Sequence, residues 1–242
     1  MIIETKLRSL IKAITWRIIA TLTTIGLVYL FFGRLDTAVK VGVIEVTLKI
    51  IFYILHDRGW NRIRFGRKKI DPFVLWFTGL PLSGKTTIAD RVFAALQKKE
   101  FEVERMDSHD VRELFPEVGF TRDERILHLK RVSFLVKMLE KNNVSVVASF
   151  ISPYREAREE IRRMIDTNYV EIYVKASVET CQKRDTDGVY RRAQEGKIPN
   201  FTGISDTYDE PRNPDIILDT DRLTVEESTR IVLQYVEKKL NV

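Results

Sequence analysis

Gly79-Leu80-Pro81-Leu82-Ser83-Gly84-Lys85-Thr86 decides how this chain is read. The octapeptide has the spacing G-x-x-x-x-G-K-[ST] of a phosphate-binding loop; an apolar run at 73–78 precedes it and a helical period at 85–97 follows. The residue types answer a chemical demand. Glycine lets the backbone curl until successive amides point at phosphate oxygens, and a helix N-terminus adds favourable dipole charge. Lys85 is placed to reach β- and γ-phosphates, and the Thr86 hydroxyl to complete the shell of a Mg²⁺ ion bridging them. The expected ATP-binding residues are therefore Gly79, Leu80, Pro81, Leu82, Ser83, Gly84, Lys85, Thr86 and Thr87. An ordinary strand-to-helix turn is the alternative, and the flanking strand and helix weigh against it.

Outward from the loop, residues 71–242 keep one rhythm. β-rich runs at 73–78, 101–106, 144–150, 170–175 and 215–218 alternate with helical periods at 85–97, 122–141, 154–166, 178–184 and 224–239. This alternation predicts an α/β fold with a parallel sheet flanked by helices. Runs of Val, Ile and Phe without strict alternation imply strands buried on both faces. The segment 186–214, rich in Gly, Pro, Asp and basic residues, breaks the rhythm and is expected to be a lid.

Residues 1–70 differ in composition. They hold 13 of the 40 Lys and Arg and 4 of the 34 Asp and Glu, a net +9 against −3 for the remainder. A uniformly basic chain would suggest nucleic acid; basic clusters flanking apolar runs suggest the cytoplasmic side of a membrane, and no nucleic-acid partner is expected. The run 18–32 is uncharged and reaches the roughly 20 residues of a span if 13–16 and Gly33 extend it across Arg17. A second run, 37–55, carries Lys40, Glu45 and Lys49. Glu45 and Lys49, four residues apart, can pair on one helix face, which hides both charges within a hairpin or a homo-oligomer. Basic residues precede the first run (Lys6, Arg8, Lys12, Arg17) and follow the second (Arg58, Arg62, Arg64, Arg67, Lys68, Lys69), while 33–36 is nearly neutral. The expectation is a two-helix transmembrane hairpin over 1–70, multi-pass, with both ends and the 71–242 domain cytoplasmic. A signal peptide fits poorly, because Glu4 comes early and no small-residue cleavage pattern follows. A soluble two-helix cap is the remaining alternative. The lone Cys181 excludes an intrachain disulfide and is expected to be a buried thiol.

The loop alone does not name a reaction. Further stretches do more: Trp76-Phe77-Thr78-Gly79-Leu80, Gly119-Phe120-Thr121, Ser149-Phe150-Ile151-Ser152-Pro153-Tyr154-Arg155 and Phe201-Thr202-Gly203-Ile204, with Arg184-Asp185, Gly188, Tyr190 and Leu218-Asp219-Thr220 in the same order. On these the 71–242 domain resembles adenylylsulfate kinase, a P-loop kinase that phosphorylates the ribose 3′-hydroxyl of adenylylsulfate with ATP. The pattern of residues 6–65 resembles an uncharacterised family of small two-helix membrane domains, which supplies topology and no chemistry.

The resemblance implies roles. Asp107, at the end of a strand run, becomes the metal-associated or base-like carboxylate, a helix N-cap being the alternative. Lys85 and Asp107 are then the catalytic pair, and Thr86 with Asp107 the Mg²⁺ ligands. Arg112 and Arg125 become acceptor-binding cations, Phe120 and Phe201 the rings that sandwich the acceptor's base, and Ile151 with Ser152 a turn against the acceptor. Several positions depart from the family pattern. His128 stands at an acceptor position where the family has Asn; His109, Asp110 and Leu127 are also changed, and Asp187 replaces a Lys expected to face an anionic acceptor. The implied activity is ATP plus adenylylsulfate to ADP plus 3′-phosphoadenylylsulfate. The departures keep open a kinase for another small nucleotide, such as a cytidine diphosphate derivative, and a third reading is a nucleotide-sensing module without turnover.

Overall fold

The computed structural model describes residues 2–4, 6–30, 35–63, 67–69, 71–165 and 168–240, and the chain divides into two units, 2–70 and 71–242.

In the larger unit, strands β3 (Val74–Thr78), β4 (Val103–Asp107), β5 (Ser145–Ser149), β6 (Tyr169–Lys175) and β7 (Ile216–Asp219) form a parallel sheet of order β4-β5-β3-β6-β7. Helices α3 (Lys85–Lys98), α4 (Ser108–Leu114), α5 (Arg122–Lys141), α6 (Arg155–Ile165), α7 (Val178–Lys183), α8 (Val189–Gln194) and α9 (Val225–Leu240) complete it. The central strand β3 is buried throughout, as its unbroken apolar run requires. Val74 and Trp76 of β3 and Val146 and Ala148 of β5 pack against Leu129, Val132 and Val136 of α5 and Ala157, Ile161 and Ile165 of α6. The intervening Leu75, Phe77 and Val147 are equally buried, and α3, which packs on α9, contacts β3, β4 and β5. The sheet is thus covered on both faces.

Register positions the site. Phe77 pairs with Ser149, and Ser149 with Asp107, so the carboxyl ends of β3, β5 and β4 finish in one row. Because β3 lies between β5 and β6, chain leaving it departs at the point where strand order reverses, where α/β folds place ligands.

The five strands and five helices expected from periodicity are present with ends shifted by at most two residues; Asp166, the expected end of one helix, lies outside the described residues. The short helices α4 and α8 were not expected. The second corrects the view of 186–214 as irregular: Tyr190, Ala193 and Phe201 are buried against Ala176 and Cys181 in a small cluster of their own.

In the smaller unit, α1 (Lys6–Leu30) and α2 (Leu35–Arg62) pack together, and β1 (Ile2–Glu4) pairs antiparallel with β2 (Arg67–Lys69). Both helices outrun the apolar stretches expected from sequence, because polar ends are tied across the pair. Arg8 donates to the carbonyls of Trp60 and Ile63 at 2.5 and 2.9 Å, satisfying the end of α2, and Lys12 pairs with Asp57 at 2.6 Å. Glu45 and Lys49 do pair, and Thr24 of α1 donates to the same carboxylate at 2.8 Å. Among the described residues one stretch, 10–28 of α1, is long and apolar enough to cross a membrane; α2 does not pass that test. Gly33, Arg34 and Arg64, and the side chains of Glu4, Lys6, Lys40, Arg67, Lys68 and Lys69, all within the stretches used in the sequence reading, lie outside the described residues.

Candidate active site

The loop from Gly79 runs from β3 into α3 with the backbone glycine demands. Gly79 has φ 155°, and a Cβ there would meet the Val174 carbonyl at 2.3 Å; Gly84, at φ 98°, turns the chain into α3 as its N-cap. Leu82, Ser83, Gly84, Lys85, Thr86 and Thr87 line a cavity of about 400 Å³. Gly79, Leu80 and Pro81 form the back of the loop: the Leu80 carbonyl accepts from Lys85 Nζ at 2.7 Å and that of Pro81 from the Tyr190 hydroxyl at 2.8 Å. Burial pushes the Lys85 ammonium down to about 8, with Cys181 and Asp107 pulling it back up. Lys85 is a buried cation in the wall of that cavity, and a bound anion there would offset the cost of its burial.

A second cavity, about 320 Å³, opens beside the first and is lined by Asp107, Ser108, His109, Arg112, Phe120, Arg125, His128, Leu129 and residues 150–153. Six of the expected acceptor residues, Arg112, Phe120, Arg125, His128, Ile151 and Ser152, therefore meet there. The two cavities join at one hydrogen bond: Thr86, which lines the first, donates Oγ1–H to Asp107 Oδ2, which lines the second, at 2.9 Å. Asp107 also fills the N-cap role weighed against it, since Oδ1 accepts from the His109 amide at 2.9 Å. One carboxylate does both.

Around the second cavity, each cation is positioned by backbone. Arg112 donates to the Val118 carbonyl at 3.0 Å and lies 4.2 Å from the centre of the Phe120 ring. Arg125 donates to the carbonyls of Phe120 and Asn200, at 2.8 and 2.6 Å. Burial lowers the pKa of both guanidinium groups, so each gains from an anion within reach. The Ser152 hydroxyl accepts from Trp76 Nε1 at 2.9 Å, which leaves its own proton to give. His128 is 97% buried, and neither ring nitrogen has a hydrogen-bond partner. Burial, with Arg112 and Arg131, pushes its pKa down to about 4, so the ring is neutral at ordinary pH.

Residues 71–219 match the family described as Adenylylsulphate kinase. The chain belongs to that family. Residues 10–61 match a second family, described as Predicted membrane protein (DUF2061). The chain is similar to the adenylyl-sulfate kinases of Halothermothrix orenii (46% identity over 166 residues, 68% of this chain and 89% of the relative) and Thermodesulfovibrio yellowstonii (42% over 172 residues, 70% and 86%). It is likewise similar to a probable adenylyl-sulfate kinase of Pseudomonas aeruginosa (46% over 163 residues, 67% and 76%). The Mycobacterium tuberculosis APS kinase CysC, solved in complex with AMPPNP and APS, superposes with a TM-score of 0.66 at 30% identity, covering 70% of this chain and 99% of that one. The larger unit is an ATP-dependent kinase of the adenylylsulfate kinase type.

Against the family expectation, this kinase places two residues elsewhere. Phe201 is 9% exposed and packs edge-on against Tyr190, with ring centres 4.9 Å apart; it does not line the second cavity, whereas Phe120 does and is 53% exposed. Asp187 lies in a separate surface groove with Thr186, Gly188 and Arg191, so its charge does not face that cavity. His109 reaches the cavity rim with its side chain 83% exposed.

Sequence reasoning left other lining residues unassigned. Arg184, Thr220, Leu223, Val225 and Ser228 wall the loop cavity; Arg184 donates to the carbonyls of Ser83 and Thr220 at 3.2 and 2.7 Å. Arg184 and Thr220 lay within stretches that carried the resemblance, a signal available before the structure. Arg158, 3% exposed, holds the Ser152 carbonyl at 2.6 Å and pairs with Glu171 at 3.1 Å. Nothing in the local pattern marks it apart from other arginines of a helix.

Proposed function

We propose that the protein transfers the γ-phosphoryl group of ATP to the ribose 3′-hydroxyl of adenylylsulfate, yielding ADP and 3′-phosphoadenylylsulfate, from a membrane-held position. The observation that carries this reading is the junction of two cavities at the Thr86–Asp107 hydrogen bond, one backed by a phosphate-binding loop and the other by two arginines. The loop amides and Lys85 bind the triphosphate. Asp107 faces the acceptor hydroxyl, takes its proton as the oxygen attacks the γ-phosphorus, and the bond to the β-phosphate oxygen breaks. Arg112 and Arg125 hold the acceptor's anionic groups, Phe120 stacks its base, and Ser152 and His128 offer hydrogen bonds.

Thr86 and Asp107 present oxygen donors of the kind Mg²⁺ takes, and a metal there would neutralise phosphate charge during transfer. Positioning and charge neutralisation by Lys85 and the arginines carry the rest of the rate. Closure of 186–214 over the reactants fits Arg125, which bonds both the Phe120 carbonyl at the cavity and the Asn200 carbonyl within that segment.

The hairpin reading extends to both helices crossing the bilayer with the kinase unit cytoplasmic. Its support is the 10–28 stretch, the membrane-family match and basic residues at both ends of the pair. ADP release by the full chain with MgATP tests the reaction. Turnover with adenylylsulfate is expected; turnover only with a cytidine diphosphate derivative moves the acceptor to the second reading, which the unpartnered His128 favours, and ATP binding without turnover on any acceptor refutes the transfer.

A further inference from the structure

Ser152 reaches the second cavity on a backbone that serine does not favour. Its φ is 46°, in the left-handed region, and the residue is buried. Two side chains hold it there. Trp76 Nε1 donates to the hydroxyl at 2.9 Å, and Arg158 Nη1 donates to the Ser152 carbonyl at 2.6 Å and to the Pro153 carbonyl at 3.1 Å. Arg158 Nη2 donates to the carbonyl of Asp209, whose amide donates to the Pro153 carbonyl at 2.8 Å, so the same guanidinium ties the turn to the segment 186–214. Its Nε lies 3.1 Å from Glu171 Oε1 on β6. Arg158 is itself buried and lines neither cavity.

Resting on the reading of the second cavity as the acceptor site, we propose that Arg158 is a positioning residue: by fixing the Ser152 carbonyl, it aims the Ser152 hydroxyl at the acceptor. A left-handed serine is strained, and the strain persists only while the groups around it hold the turn. Without the carbonyl bond the turn relaxes towards negative φ, which swings the Ser152 Cβ and hydroxyl away from Trp76. The role calls for arginine. One planar guanidinium serves the carbonyls of Ser152, Pro153 and Asp209 and the Glu171 carboxylate with donors in fixed directions, a spread that a single ammonium does not cover. Lysine would keep a charge beside Glu171 and lose the hold on the turn.

Full-length Arg158→Lys, assayed by coupled ADP release, is expected to lower acceptor kcat/KM about tenfold while KM for ATP stays within about twofold, the worth of one hydrogen bond on one side of the reaction. Ser152→Ala should lose about as much, and the double variant no more than about tenfold in all, because both substitutions remove one interaction. Losses that multiply to about a hundredfold, a loss shared by ATP, or no loss in Arg158→Lys overturn the positioning role. A second readout needs no acceptor. The Trp76 indole N–H, assigned by NMR from its absence in Trp76→Phe, should exchange with solvent at least about tenfold faster in Arg158→Lys. Unchanged exchange overturns the proposal whatever the acceptor proves to be. A wild type that turns over no acceptor refutes the reading of the cavity, and the indole measurement then still decides whether Arg158 holds the turn. Should Arg158→Lys fail to fold, Arg158→Met with Glu171→Met removes both buried charges together and carries the same expectations.

Discussion

The loop cavity takes its shape from backbone, whereas the cavity beside it is shaped by side chains. In the first, Gly79 and Gly84 set left-handed turns, a helix end supplies the field, and a single ammonium does the rest. In the second, Arg112, Phe120, Arg125, His128 and Ser152 come from three separated stretches of chain, each held by its own hydrogen bond or packing contact. Backbone recognition tolerates change except at the residues that permit the curl; side-chain recognition can be altered one group at a time. The family resemblance follows that division, since the loop motif is intact and the departures fall on or around the acceptor side.

The largest effect expected is at Lys85. Lys85→Met should cut turnover by at least about 10²- to 10³-fold in a coupled ADP assay, the scale of removing one group aimed at developing charge. It should also raise the thermal midpoint at pH 7. Burial depresses this ammonium from 10.5 to about 8, so the folded chain holds its proton less tightly than the unfolded one. The resulting penalty is present in full below about pH 8, fades as pH rises towards 10.5, and is absent in the variant. Equal activity loss without a gain in stability would mean that Lys85 is paid for by contacts other than the triphosphate.

Arg125→Ala should come next, lowering kcat/KM for the acceptor by about 10²-fold while the KM for ATP stays within about twofold, because a buried hydrogen-bonded cation facing an anion is removed from one cavity only. Parallel losses for both substrates would break the division between the cavities and place Arg125 in a movement shared by them.

His128 sharpens the comparison on a finer scale. His128→Leu should lower acceptor kcat/KM by about two- to tenfold, the worth of one neutral hydrogen bond, and His128→Asn should recover most of it. Because the imidazole is held near 4, acceptor KM should show no inflection from this group between pH 5.5 and 8. An inflection near 6.5 that vanishes in His128→Asn would show a solvated ring and a charged role.

The same division explains what was legible in the sequence. The loop and its flanking strand and helix are local patterns, so periodicity and spacing found them; the same reading put Asp107 at a strand end, and the resemblance gave it a role. Arg184, Thr220, Leu223 and Val225 wall the same cavity from more than 90 residues away, and no local spacing announces that. His128 occupies a helix position that reads as surface or packing, and only tertiary burial shows that its ring faces a cavity without a partner. Phe201 differs in the opposite direction: the resemblance puts it beside the acceptor, and the structure shows its ring packed in the Tyr190 cluster, a contact no local pattern announces. Helix α8 was hidden by Gly188 and by charged residues within a segment whose composition spoke for a loop.

The smallest effect is expected at Asp187, and it is the most informative about motion. The resemblance places a lysine there, facing an anionic acceptor, and on that view Asp187→Lys would tighten acceptor binding by well over tenfold. In the structure Asp187 lies in the groove with Gly188 and Arg191, and its backbone carbonyl is held by Arg192 at 2.8 Å. A solvated charge outside the cavity is screened, so Asp187→Lys should change acceptor KM by less than about twofold at physiological ionic strength. A tenfold fall in KM would require 186–214 to carry this position to the acceptor when both substrates are bound. The two cavities would then be separate only in the open state, and the lid, rather than the Thr86–Asp107 junction alone, would join them.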